Sequence, residues 1–302
     1  MRALVTGASG FVGSRLSRAL VEARHETAVL VRKASRLDEL SPIRERIAIF
    51  RIGEGCSGLP EMLKEVKPDV VFHVATYFVV QHSPPDIEPL VEANILFPCK
   101  LLEAMCSAGV RYLVNTGTSW QHFQCDAYRP VGLHAATKQA FEDLLEFYTD
   151  AERLSAITLK LYDTYGPDDP RRKVFNFLLR QLEQTDLLVM SPGGQKLDMV
   201  HVNDVVAAYL MAAERLLSGK VASAEAYAVS SGQPVSLREI VECFEAAVGY
   251  RINIQWGGRP YREREVMTTW TGGKVLPGWA PRIDLASGFR MMAEHYGKGV
   301  RR

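Results

Sequence analysis

The sequence predicts a doubly wound α/β fold, a parallel sheet with helices on both faces. Two observations carry that prediction. Through the first half of the chain, short apolar runs of strand type alternate with amphipathic helical stretches, the pattern of βαβ units. The first apolar run also passes directly into three glycines spaced three apart and then into a helical pattern. Open α/β sheets hold ligands at such strand–turn–helix junctions.

Taken in order, "ALVTG" (3–7) predicts the first strand, and "VGSRLSRALVEA" the helix after it. "ETAVLVR" (26–32), "RIAIFRI" (46–52), "VVFHVA" (70–75) and "YLVNTG" (112–117) predict four more strands, with "ILFPCKLLEAMCSAG" as a helix between the last two. "AITLKLYDTYG" (156–166) predicts a sixth strand, after a helix through "HAATKQAFEDLL". From about residue 167 the elements shorten and Pro, Gly and Arg become more frequent. The expected organisation is a dinucleotide-binding domain over 1–166, with segments returning near 198–210 and 226–231. Residues 167–302 then form mainly a smaller, interleaved substrate-binding lobe.

Bulk properties narrow the function. With 302 residues, 47% of them hydrophobic and 24% charged, the chain has the composition of a globular protein with a large core. A net charge of +1 offers no electrostatic footprint for nucleic acid or an anionic membrane. Five scattered cysteines without a C-x-x-C argue against a disulfide scaffold and against a zinc site, and no metal is expected. "MRALVTGASG" enters a strand at once, leaving no room for a signal peptide, and no run is long and apolar enough to span a bilayer. A cytoplasmic location is expected.

In "TGASGFVG" (6–13), Gly7 allows a tight turn, Gly10 lets backbone approach a pyrophosphate, and Gly13 lets helix pack on strand. The following helix N-terminus turns its unpaired N–H groups toward the phosphates. The end of the second strand reads "VLVRKASR". An acidic side chain there binds the ribose 2′-hydroxyl of NAD, whereas arginine accommodates a 2′-phosphate. Val31 is followed by Arg32, Lys33, Ser35 and Arg36, which favours NADP(H). A merely solvated basic loop is the bland alternative.

The spacing G-x-x-G-x-x-G, "PDVVFHVA", Asn94, "TGTS", "ATKQAFE", "LYDTYGP" and "DMVHVNDVV" occur in one order along nearly the whole chain. In this the sequence resembles the extended short-chain dehydrogenase/reductase superfamily, the NAD-dependent epimerase/dehydratase family, with a Rossmann fold. The resemblance places Ser9, Phe11, Val12, Ala75, Asn94 and Tyr162 against the cofactor, together with the lysine of the catalytic helix. It gives Thr118 the role of bonding the substrate oxygen, with Ser119 adjacent, and matches Lys138 to the lysine that binds the nicotinamide ribose. The family's proton-transferring tyrosine falls on His134, four residues before Lys138 and on the same helical face.

Histidine is a competent general acid or base, with a free pKa near 6.5. Neighbouring positive charge from Lys138 lowers that value, and the imidazole is shorter than a phenol. Three roles for His134 stay open. It donates the proton of a reductase, directly or through water; it marks a natural or engineered loss of chemistry; or Tyr128 or Tyr162 has taken over. His73, His122 and His201 read as structural. Asp198 and Asp204 match a segment linking the lobes, Asp204 as a cap for the next helix.

In the second lobe, "RRK" (171–173), Asn176, Arg259 and Arg262 offer groups for a nucleotide diphosphate, with solvated charge as the alternative. "TGTSWQH", "ATKQAFEDLL" and "LYDTYGPDDPR" look most like enzymes that reduce a 4-keto-6-deoxy or dideoxy sugar on a nucleotide, the CDP-linked group in particular. The expected activity is therefore NADPH-dependent reduction of such a nucleotide-diphosphate sugar. Epimerisation, another carbonyl reduction, and an impaired NADP(H)-binding protein are the alternatives. Trp120 and Gln121 stand where a dehydratase has an Asp–Glu pair. The resemblance also implies a homodimer built on helices at about 92–108 and 135–150.

Overall fold

The computed structural model describes residues 1–124, 128–171, 174–181 and 186–296, with Glu54 and Asn176 described by backbone alone. Strand β1 (Arg2–Thr6) turns through the glycine loop into α1 (Phe11–Glu22), followed by β2 (Glu26–Arg32) and β3 (Ile47–Ile52). Helix α2 (Leu59–Val66) leads to β4 (Val70–His73), and α3 (Ile87–Val91) joins α4 (Phe97–Ala108) through a π turn at Glu92–Leu96. Strand β5 (Tyr112–Thr118), helix α5 (Leu133–Ala151) and β6 (Ser155–Leu161) complete the alternation. The second half contributes β7 (Asp163–Tyr165), α6 (Val174–Gln181), β8 (Leu188–Val189), β9 (Lys196–Leu197), β10 (Met199–His201) and α7 (Val202–Leu217). After these come β11 (Ala224–Val229), β12 (Val235–Ser236), α8 (Leu237–Val248), β13 (Ile254–Gln255) and α9 (Leu285–His295).

Seven strands form one parallel sheet in the order β11-β6-β5-β4-β1-β2-β3. Its inner strands are apolar on both sides, because helices cover both faces. Leu16, Leu20, Tyr209 and Leu216 of α1 and α7 pack on one face, and Leu63, Leu102, Phe141 and Leu145 of α2, α4 and α5 on the other. A third apolar cluster joins Phe175, Leu178, Phe244 and Phe289 from α6, α8 and α9.

The predicted sixth strand is cut in two. β6 stays in the main sheet to Leu161, whereas β7 leaves it and pairs with β10 in a separate two-stranded ribbon. The partner that captures the Asp163 N–H is the Asp198 carbonyl, far along the chain, so no local pattern announces the break. Asp204 is not the cap of α7. His201 holds that position, its Nδ1 accepting from Asn203 N at 3.3 Å. The Asp204 carboxylate instead accepts from Ile283 N at 3.0 Å, tying the segment before α9 to α7. Asp198 takes hydrogen bonds from the Ser230 hydroxyl and from Ser231 N, just past β11.

In the π turn, the N–H of Phe97 donates to the carbonyl of Glu92, five residues back. Pro98 follows directly in the continuing helix, where having no N–H it can donate no bond to the carbonyls one turn earlier. The widened turn carries Asn94, which is fully buried.

Candidate active site

The strand order reverses between β1 and β4, and the loops leaving their C-terminal ends meet there. Such a crevice is where open α/β sheets bind ligands. Gly7 has φ +69°, and a Cβ on it would lie 2.6 Å from the backbone of Ala75. A Cβ on Gly13 would lie 2.2 Å from the Gly7 carbonyl oxygen, so helix and turn touch without side chains. Gly10 is the N-cap of α1 and supplies no side-chain cap, leaving the first N–H groups of α1 to face an anion. Ser9 is half-buried on this turn, whereas Phe11 and Val12 are buried and offer backbone alone. The donor set suits a pyrophosphate.

At the end of β2, Arg32, Lys33 and Arg36 are exposed and Ser35 is half-buried. Arg51 on β3 stands opposite Val31. Its guanidinium donates to the carbonyl of Lys33 at 2.6 Å and to that of Arg32 at 3.3 Å, which holds the basic loop in one shape. Arg36 pairs with Asp38 at 2.8 Å, both well exposed, a contact too solvated to bind firmly.

Helix α5 places His134 and Lys138 one turn apart, 7% and 2% exposed. Among the described residues the Lys138 ammonium has no hydrogen-bond partner. Burial lowers its pKa to about 8 against the opposing pull of Glu142. A buried ammonium without a partner is rare, and this one is free to donate to acceptor oxygens of a bound ligand. The His134 Nε2 lies 3.3 Å from the Thr76 hydroxyl, while Nδ1 has no partner among the described residues. The Phe78 ring stands edge-on to the imidazole at 4.9 Å. Burial first, and Lys138 second, lower the His134 pKa to about 3, so the ring is uncharged near neutrality.

Thr118 ends β5 and caps the short turn Ser119–Gln121, its hydroxyl accepting from Trp120 N at 3.2 Å. That bond uses a lone pair and leaves the hydroxyl proton to give. Ser119 is buried beside it. Asn94 spends all its bonding capacity inside the protein. Its Oδ1 accepts from Thr76 Oγ1 and Tyr77 N, and its Nδ2 donates to the Tyr77 carbonyl and to Thr137 Oγ1. Asn94 therefore shapes the loop at Ala75–Tyr77 and has no atom left over for a cofactor.

Tyr162, expected against the cofactor, is buried beside the segment that carries Trp270. Its hydroxyl donates to the Trp270 carbonyl at 2.7 Å, and the Trp270 ring stacks on His122 at 3.8 Å. Ser119, Trp120, Tyr162, Asp163, Thr269 and Trp270 line a cavity of about 10 Å³, room for one water. Tyr162 is thus occupied, and Tyr128 is 51% exposed. Arg262 does not reach out for an anion: Glu265 holds its guanidinium at 2.5 and 2.9 Å, and it covers the Trp120 ring. The Arg259 side chain is exposed, and Arg171 is engaged by Asp169 at 2.6 Å. Residues 172–173 and the Asn176 side chain lie outside the described residues. Among the described residues no cluster of His, Cys, Asp or Glu could hold a metal, and no helix is long and apolar enough to cross a membrane.

Sequence reasoning passed over Thr76, Arg51, Glu142 and Trp270. Only Glu142, four residues beyond Lys138, left a signal, since that spacing stacks two side chains on one helical face. The others arrive through tertiary contacts.

A relative from Yersinia pseudotuberculosis, "CDP-abequose synthase", is 28% identical over 88% of this chain and 91% of its own. A "UDP-glucose 4-epimerase" from Mycolicibacterium smegmatis is also 28% identical, over 98% of both chains. Among solved structures, the UDP-glucose 4-epimerase of Thermus thermophilus in complex with NAD superposes with a TM-score of 0.81. That match has 25% identity and covers 99% of this chain and 100% of that one. The family profile described as "NAD dependent epimerase/dehydratase family" matches residues 3–228, three-quarters of the chain, and the protein belongs to that family.

Proposed function

We propose that the protein uses NADPH to reduce a 4-keto-6-deoxy or dideoxy sugar carried on a nucleotide diphosphate. The observation that carries this reading is the buried ammonium of Lys138, which has no partner among the described residues and lies one helical turn from His134. The Gly7–Gly13 loop and the N-terminus of α1 would hold the pyrophosphate. Arg32, Lys33, Ser35 and Arg36 would take the 2′-phosphate, and Lys138 the ribose hydroxyls. NADPH, when bound, supplies the hydride. Thr118 and Ser119 then present hydroxyls to the ketone oxygen as negative charge gathers on it.

The relatives named as CDP-abequose synthases support a reductase. The relative named as a 4-epimerase, at equal identity, supports the second reading, epimerisation or another carbonyl reduction in the same site. A third reading, an NADP(H)-binding protein impaired in chemistry, is favoured by the low pKa of His134. All three are separated by following NADPH and NADH oxidation with CDP-, dTDP- and UDP-linked 4-keto-6-deoxy sugars, with His134→Tyr in parallel. Turnover by the natural chain supports the reductase. Sugar interconversion without net oxidation supports the epimerase, and tight NADPH binding with turnover only in the tyrosine variant supports the impaired protein.

A homodimer through α4 and α5 is part of the same reading, and Leu96, Leu144 and Phe147, 47%, 37% and 60% exposed along these helices, would be covered by it.

A further inference from the structure

Two buried lysines, Lys138 on α5 and Lys160 on β6, have one carboxylate between them. Glu142 stands one turn beyond Lys138, on the same face of α5. Its Oε2 lies 3.4 Å from the Lys160 ammonium, and its Oε1 accepts from Gln121 Nε2 at 3.0 Å. A Cβ on Gly117, near the end of β5, would come within 2.8 Å of that same Oε1. The strand end reaches the carboxylate because it has no side chain there.

Every proton in this cluster has one direction. The Gln121 Oε1 accepts from Thr118 N at 2.9 Å, so its Nε2 carries the two donors, one to Glu142 Oε1 and one to Gln139 Oε1 at 2.7 Å. Thr118 is thereby fixed twice, its N–H by Gln121 and its hydroxyl oxygen by Trp120 N. Lys160 closes the chain from the far side, donating also to His122 Nε2 at 2.9 Å. Around Lys138 the other titratable groups are His73 on β4 and His134 on α5, and burial keeps both imidazoles uncharged near neutrality. Glu142 is the negative charge that acts on Lys138.

We propose that Glu142 is a positioning residue shared by the cofactor and substrate sides of the site: through Gln121 it holds the turn that carries Thr118, and across one helical turn it keeps Lys138 charged. The proposal rests on the reading of Thr118 and Lys138 as the groups that meet the ketone and the dinucleotide. Burial takes Lys138 down to about 8 although Glu142 pulls the other way. Without that carboxylate the amine would lose its proton closer to neutrality, and a neutral amine is a weaker donor to a ligand oxygen. Lys160 and Gln121 hold one carboxylate oxygen each, so Glu142 cannot swing away from either task.

The test compares Glu142→Gln and Glu142→Leu, each combined with Lys160→Met so that no ammonium is left stranded, against Lys160→Met alone. Glutamine removes the charge and keeps an oxygen for Gln121; leucine removes both. The ¹³C shifts of the Lys138 side chain are followed against pH in the cofactor-free protein, together with the Thr118 amide shift, NADPH affinity, KM and kcat. Both double variants should titrate Lys138 about one pH unit below the Lys160→Met chain. Their NADPH affinity should fall about ten-fold at about pH 9 and hardly at all at about pH 6. At about pH 6, where Lys138 is charged in every chain, the leucine variant should have a kcat about ten-fold or more below the glutamine variant, with KM little changed. The Thr118 amide should shift in the leucine variant alone. Lys138 titrating at one pH in all three chains overturns the counter-charge. Equal kcat and equal Thr118 shifts in the glutamine and leucine variants overturn the hold on Thr118. Should the natural chain turn over no ketosugar, the reading of the site fails separately, and the lysine titration and the amide shift still decide the proposal.

Discussion

His134 should make the fold sensitive to mild acid. A histidine held neutral in the folded chain and free to protonate in the unfolded one makes unfolding take up a proton. The folded pKa of His134 is about 3, against 6.5 for the free side chain. Its share of stability is complete above about pH 6.5 and is lost as the pH falls toward the folded value. Between pH 7 and pH 5, an unfolded histidine goes from mostly neutral to almost wholly charged while the folded one stays neutral. That uptake is worth about 2 kcal/mol, a sizeable part of a typical folding free energy. His134→Gln keeps a polar side chain of similar reach and removes the titration. The assay is denaturant unfolding of both chains at pH 7, 6 and 5. The natural protein should lose about 2 kcal/mol more than the variant over that range. His73 and His201 are also lowered by burial, but both chains retain them, so they cancel in the comparison. Equal pH dependence in the two proteins, or a His134 resonance titrating near pH 6.5, would refute the reasoning.

Gly13→Ala forces a Cβ to within 2.2 Å of the Gly7 carbonyl, and backbone must move; a loss of about 1–3 kcal/mol in thermal or denaturant unfolding is expected, with weaker dinucleotide binding by calorimetry. Lys138→Met fills the space without the ammonium and should weaken NADPH binding by about ten-fold or more, the worth of one charged hydrogen bond, while folding holds or improves. Arg51→Ala frees the carbonyls of Arg32 and Lys33; NADPH affinity in a fluorescence titration should fall several-fold and NADH affinity should not. Phe147→Glu places charge on the exposed face of α5 and should shift the sedimentation coefficient from dimer to monomer.

The sheet was legible because its strands are buried on both faces, so each appears as an unbroken apolar run bounded by turns, and because helices of ordinary length separate them. The glycine turn was legible for a steric reason, since Gly7 and Gly13 tolerate no Cβ. Lys138 and Thr118 were singled out by their place in a motif. What escaped depends on partners distant in the chain. β7 separates from β6 because β10 takes its edge, and nothing local in "LKLYDTYG" records that. Asp204 looks like a cap, yet the helix begins early enough for His201 to serve. Arg262 was read as a ligand for phosphate, but Glu265 three residues later neutralises it, a pairing the spacing allowed. Thr76 is one exposed threonine among many until the fold sets it against a buried ring.

The π turn between α3 and α4 amounts to one surplus residue in an otherwise regular helix. Each residue turns an α-helix by about 100°, so deleting one between Glu92 and Leu96 would straighten the rod and swing everything before the deletion around its axis. Asn94 would then leave the Thr76–Tyr77 loop, and the solvent-side support of His134 would go with it. The length of this helix, counted in single residues, is therefore part of the site's chemistry. In alignments of relatives, a one-residue gap here should mark chains that arrange the loop after β4 differently.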